Sequence, residues 1–249
     1  MGNDLNKIFA EFKTTGIIDL VIDLRYNGGG SVRNCVELAS MITGQLTGEV
    51  FSNELWNSKL DAYFLEKYGS DSQKNRFVNV LSDGEPINSL ELNRVFILTT
   101  SESASASELL INGLAPLIEV IHIGEQTVGK NVGSITVYDY IDNDGTRNPD
   151  HRYAMQPIVL KIANSEGFAD YADGLEPSTF IEEDLQNMGT LGDKNEPFLA
   201  TVLNLIEGTT DKYNIPKTLL SRKFLIKDPQ LLKRQRMFSD KVIPLNFIQ

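Results

Sequence analysis

The chain has 249 residues, with 23 Lys and Arg against 34 Asp and Glu and a formal net charge of −11. That balance argues against broad binding to nucleic acid or to an anionic membrane surface. No apolar run approaches the roughly 18 residues that suggest a transmembrane helix. The start, Met1-Gly2-Asn3-Asp4-Leu5-Asn6-Lys7, lacks the apolar core of a signal peptide. One cysteine, Cys35, excludes an internal disulfide and a cysteine-rich metal site.

In chain order, the apolar spacing predicts an amphipathic helix over 4–14 and a strand over 17–23. The strand ends in Asp23-Leu24-Arg25-Tyr26-Asn27-Gly28-Gly29-Gly30. Three glycines after a buried strand let the backbone turn tightly and approach a ligand closely. A helix is expected over 31–42, with Cys35 as a small core residue. Residues 45–93 are less periodic and carry Trp56, Tyr63, Phe64, Tyr68 and Phe77, with polar breaks from Gly69 to Asn75. A strand over 94–100 leads into Ser103-Ala104-Ser105-Ala106-Ser107-Glu108 and a helix over 105–116. Ser105 and Glu108 stand at capping-box spacing.

A further strand over 118–123 carries His122, and Gly129-Lys130 follows, with Lys130 25 residues after Ser105. Asp139, Asp142, Asp144 and Asp150 crowd a stretch without the register of a calcium loop. It reads as a solvated hairpin loop between strands near 134–140 and 154–162. Beyond 207 the charge reverses. Residues 208–249 hold nine basic and three acidic side chains, leaving −17 on the remainder. Leu219, Leu220, Phe224, Leu225 and Leu231 give this basic appendage apolar anchors for docking on a 1–207 core.

The chemistry in this order is that of acyl transfer. Ser105 sits between strand and helix, where unpaired helix N–H groups favour developing negative charge. Serine needs a base to act as a nucleophile at neutral pH, and Lys130 returns from the next strand–turn unit. The glycine turn offers N–H donors for an oxyanion. Ser101, Ser103 and Ser107 are rival nucleophiles, and the lysine interval favours Ser105. His122 and His151 have no evident nucleophile partner in sequence.

Taken together and in order, Asp23 to Gly30, Ser105 to Glu108, Gly129-Lys130 and Asp173-Gly174-Leu175-Glu176-Pro177 resemble the C-terminal processing (tail-specific) serine proteases of peptidase family S41. The resemblance spans about residues 17–180 and implies an α/β, ClpP/crotonase-like layered protease core. It implies Ser105 as nucleophile and Lys130 as general base. It implies an oxyanion hole of Ala106 N–H with Gly29 or Gly30 N–H. It implies no metal or organic cofactor. The family often has a glutamine four residues after the lysine to orient it; here that position is Ser134.

A lysine at its ordinary pKa of about 10.4 is protonated at pH 7, so the role requires burial that lowers it. The resemblance also makes 45–93 a candidate lid or cleft wall. Family members commonly carry an upstream PDZ domain, for which the 22 residues before Asp23 are too few. The implied partner is an extended or unfolded polypeptide, the implied compartment the periplasm or cell envelope. Two other readings stand beside the serine endopeptidase. One is a noncatalytic polypeptide- or hydrophobic-ligand-binding module on the same fold. The other is a crotonase-like acyl-CoA enzyme, which would not need the Ser105–Lys130 spacing.

Overall fold

The computed structural model describes residues 2–142, 144–209 and 237–241. Its first sheet is parallel throughout, in the order β1 (Val21–Asp23), β4 (Arg94–Thr99), β5 (Glu119–Gly124), β10 (Thr179–Phe180). Val21 pairs with Phe96, and Leu98 pairs with Ile123. The second sheet is antiparallel, in the order β3 (Lys74–Arg76), β2 (Val50–Trp56), β9 (Ile158–Asn164), β6 (Val132–Ser134). A small ladder of β7 (Val137–Tyr138) and β8 (Ala154–Met155) closes the expected hairpin. No described helix is long and apolar enough to cross a membrane.

Helix α4 (Ala106–Leu114) lies between the two sheets, packed on β5 on one side and on β2 and β9 on the other. All nine of its residues are buried, the polar Ser107, Glu108 and Asn112 among them satisfied by hydrogen bonds. Gly113 makes the close fit possible, since a Cβ there would lie 2.3 Å from the Phe51 ring of β2. Helices α1 (Gly2–Thr15) and α2 (Val32–Ile42) join the same core through Phe9, Val36 and Ile42. On the outer face of the first sheet, α5 (Pro197–Glu207) buries Phe198 and Val202 against Phe96, Leu98 and Ile123. The result is the layered α/β architecture expected from the sequence.

The expected strand over 17–23 is shorter, beginning at Val21, with Ile18 left exposed. The 45–93 stretch is built into the second sheet. It supplies β2, α3 (Ser58–Tyr68) and β3, and Phe51, Trp56, Phe64 and Phe77 are core residues. Cys35 is buried as expected, and burial pushes its thiol pKa up, which keeps it protonated. Of the basic appendage, Leu219, Leu220, Phe224, Leu225 and Leu231 lie outside the described residues.

Candidate active site

Strand β4 ends at Thr99, and the chain turns through Ser103 before α4 begins. Ser103 Oγ donates to Leu24 O (2.8 Å) and accepts from Thr100 N–H (3.0 Å), which fixes the turn. Ser105 is left at φ 67° and ψ −115°. A non-glycine residue held there costs on the order of 1–3 kcal/mol, and such strain clusters at functional sites. Its side chain is fully buried, and its Oγ is one of three buried side-chain polar atoms with no hydrogen-bond partner among the described residues. Ser103 and Ser107 have theirs spent on Leu24 and Asn27 carbonyl oxygens.

The glycine turn is clamped onto this serine. Arg25 grips both Asp23 carboxylate oxygens (3.0 and 3.1 Å from Nε), reaches Glu196 at the start of α5 (2.9 Å), and stacks 4.6 Å above the Phe198 ring. Asn27 O accepts from Ala104 N–H (3.0 Å) and from Ser107 Oγ (2.9 Å). Gly29, at φ 95°, touches the Ser105 turn so closely that a Cβ would lie 2.6 Å from both Ala106 N and Ser105 Cβ. Its N–H is taken by Asn27 Oδ1 (2.9 Å). The N–H groups of Gly30 and Ala106 have no partner among the described residues, so of the two candidate glycines Gly30 holds the open donor.

Lys130 is tied to Ser105 through one buried carboxylate. Glu108 is fully buried and accepts four hydrogen bonds. Its Oε2 takes Ser105 N–H (2.6 Å) and Lys130 N–H (2.8 Å), and its Oε1 takes Thr127 Oγ (2.6 Å) and Gly129 N–H (2.6 Å). The backbone nitrogens of Ser105 and Lys130 therefore stand no farther apart than those two bonds end to end. The spacing that reads as a helix cap is a cap that also seizes the lysine loop.

The Asp173–Pro177 segment is laced to that loop. Leu175 N–H donates to Thr127 Oγ (2.8 Å), and Thr127 N–H donates to Leu175 O (3.2 Å). A Cβ on Gly129 would lie 2.1 Å from Ala172 O, and one on Gly174 2.2 Å from Thr127 O, so the two turns meet backbone to backbone. Tyr171, just before Ala172, is buried with no hydroxyl partner among the described residues, and burial raises its pKa, so it stays a donor. No sequence signal marked Tyr171 or Thr127.

Ser134 points its chemistry elsewhere. Its Oγ donates to Met237 O (3.2 Å), and its N–H donates to the same carbonyl (3.0 Å). His122 lies in the first sheet, with Nε2 2.7 Å from Thr99 Oγ, and burial lowers its pKa to about 4. His151 pairs with Asp139 (3.2 Å) in the hairpin loop. Neither histidine hydrogen-bonds to Ser105 among the described residues.

No curated protein matches the chain. Among solved structures it is similar to a Bacteroides fragilis protein assigned to the S41 proteases, with 27% identity, a TM-score of 0.67, and coverage of 84% of this chain and 50% of that one. It is more distantly similar to a photosystem II D1 C-terminal processing protease, with 20% identity, a TM-score of 0.48, and coverage of 73% and 39%. The chain thus spans half the length of the Bacteroides protein. The sequence model of peptidase family S41 matches residues 1–155, well over half of the chain, and the chain belongs to that family.

Proposed function

We propose that this chain is a serine endopeptidase that cleaves extended or unfolded polypeptides through a Ser105–Lys130 dyad. The observation that carries the reading is the Glu108 carboxylate, which holds the backbone of both residues on one oxygen. Two further features support it: the strained, unpartnered Ser105 hydroxyl and the open Gly30 and Ala106 amides.

In this mechanism neutral Lys130 takes the Ser105 proton as Oγ attacks the peptide carbonyl carbon. The carbonyl oxygen becomes an oxyanion between Ala106 N–H and Gly30 N–H at the start of α4, where the helix dipole adds to their pull. The tetrahedral species collapses, the C–N bond breaks, and Lys130 returns the proton to the leaving amine. Water, deprotonated by the same lysine, then hydrolyses the acyl-enzyme. Ser105 is fully buried, so a substrate enters only when the surrounding structure moves to uncover it.

The test is cleavage of an unfolded reporter protein by the native chain and by Ser105→Ala and Lys130→Ala. Each variant is expected to lose at least about 1,000-fold in kcat. Cleavage that survives Ser105→Ala contradicts the reading. Binding without cleavage favours the polypeptide- or hydrophobic-ligand-binding module. The expected compartment, the periplasm or cell envelope, is checked by fractionating cells that make the native protein.

A further inference from the structure

Residues Met237–Lys241 lie outside the stretch that matches the family, yet they run along the site as a short segment bridged on both sides at Phe238. On one edge Phe238 N–H donates to Gly30 O (3.2 Å), and Val32 N–H donates to Phe238 O (3.1 Å). On the other edge Ser134 N–H donates to Met237 O (3.0 Å), and Ser239 N–H donates to Ser134 O (3.0 Å). One short segment thus pairs in parallel with both the glycine turn and the strand that follows Lys130. Met237 is fully buried, and Ser239 is buried.

The segment is anchored a third time. Lys241 pairs with the buried Glu54 carboxylate of β2 and donates to Ser72 O. Its ammonium lies 5.9 Å from the Trp56 ring centre and 5.8 Å from that of Phe64. Asp240 accepts from Ser31 Oγ (2.9 Å) at the cap of α2. Surface decoration would not need two paired edges and an ion pair to a buried carboxylate.

We propose that Met237–Lys241 is a positioning staple of the active site, setting the Gly30 oxyanion donor at a fixed distance from the lysine strand. The proposal rests on the peptidase reading above. An oxyanion donor works only when it is held within a fraction of an ångström of its productive place. The Gly30 amide belongs to a glycine turn that would otherwise be free to shift. The staple holds the carbonyl of that same residue and the N–H of Val32, the first residue of α2.

The experiment compares Phe238→Pro with Phe238→Ala in the full chain, measuring kcat and KM on the unfolded reporter and thermal unfolding of each variant. Proline removes the N–H that binds Gly30 O, whereas alanine keeps it. Phe238→Pro is expected to lose about 100-fold in kcat with KM unchanged, the size of losing one oxyanion donor. Phe238→Ala is expected to stay near the native kcat.

Should the proline variant not fold, the double variant Glu54→Gln/Lys241→Met loosens the far anchor without leaving a buried charge unpaired. It is expected to lose about tenfold in kcat at constant KM. Native kcat in a folded Phe238→Pro variant, or in the double variant, overturns the staple alone. Equal losses in Phe238→Pro and Phe238→Ala overturn it as well. A native chain with no Ser105-dependent cleavage overturns the peptidase reading and the staple with it.

Discussion

The serine half and the lysine half of this site are built in different ways. The serine half grows from the parallel sheet, where Ser105 follows β4 directly and the glycine turn follows its neighbour β1. The turns that press on Ser105 leave adjacent strand ends, and Glu108 of α4 holds its N–H. The lysine half has no such footing. Lys130 precedes the short edge strand β6 of the antiparallel sheet and is fixed by distant partners: Glu108, the 169–175 turn and the 237–241 segment. A nucleophile needs one strained turn, whereas a base needs its whole surroundings arranged around it.

Breaking the link between the halves should have the largest effect. Glu108→Ala strands four buried donors, so urea unfolding should record a loss of about 4 kcal/mol or more. Glu108→Gln keeps the shape but puts an amide where one carboxylate oxygen stood. It should fold and lose about 100-fold in kcat, as expected for a small misplacement of reacting groups. Native kcat in Glu108→Gln would mean that the two halves hold their geometry independently.

The next effect sharpens the contrast, because it belongs to the serine half alone. Burial holds His122 at a pKa of about 4, below its ordinary 6.5. Between those values the unfolded chain binds a proton that the folded chain refuses. Stability is therefore lost as pH falls from about 6.5 to about 4 and the loss then levels off, an effect of about 3 kcal/mol. The stability lost between pH 6.5 and about pH 4 should differ by this amount between native and His122→Asn chains. Identical acid profiles would remove His122 from the account.

Ser134→Ala should have the smallest effect. It removes the hydroxyl bond to Met237 O while leaving the backbone bond in place. Stability should fall by about 1 kcal/mol, and kcat by only a few-fold through the loosened staple. A loss of about 100-fold with a displaced pH–rate profile would instead give Ser134 the part of the family's glutamine, orienting Lys130.

The same contrast explains how much could be read from the sequence. The serine half is local, so strand, glycine turn, serine and helix follow one another with their chemistry visible, and the helix cap at Glu108 is legible from its spacing. What spacing cannot convey is that the second pair of Glu108 bonds goes to Thr127 and Gly129, about twenty residues on. The aromatic stretch 45–93 is a candidate lid or cleft wall by resemblance alone, and its apolar residues follow no single period. In the structure they serve two masters, a strand face and a helix face around one core. The pairing of Met237–Ser239 with residues 30–32 and 134 joins positions about two hundred and one hundred residues apart, and no periodicity encodes it.

The central claim is that Lys130 serves Ser105 as its base. It is tested most directly by the pH dependence of Ser105 labelling with a fluorophosphonate, mapped by peptide mass spectrometry in native and Lys130→Ala chains. The account predicts label on Ser105 at a rate that rises with pH as Lys130 loses its proton. It predicts a Lys130→Ala rate about 1,000-fold lower, without that rise. Label on another serine, or a Lys130→Ala chain with the native rate and profile, would contradict it.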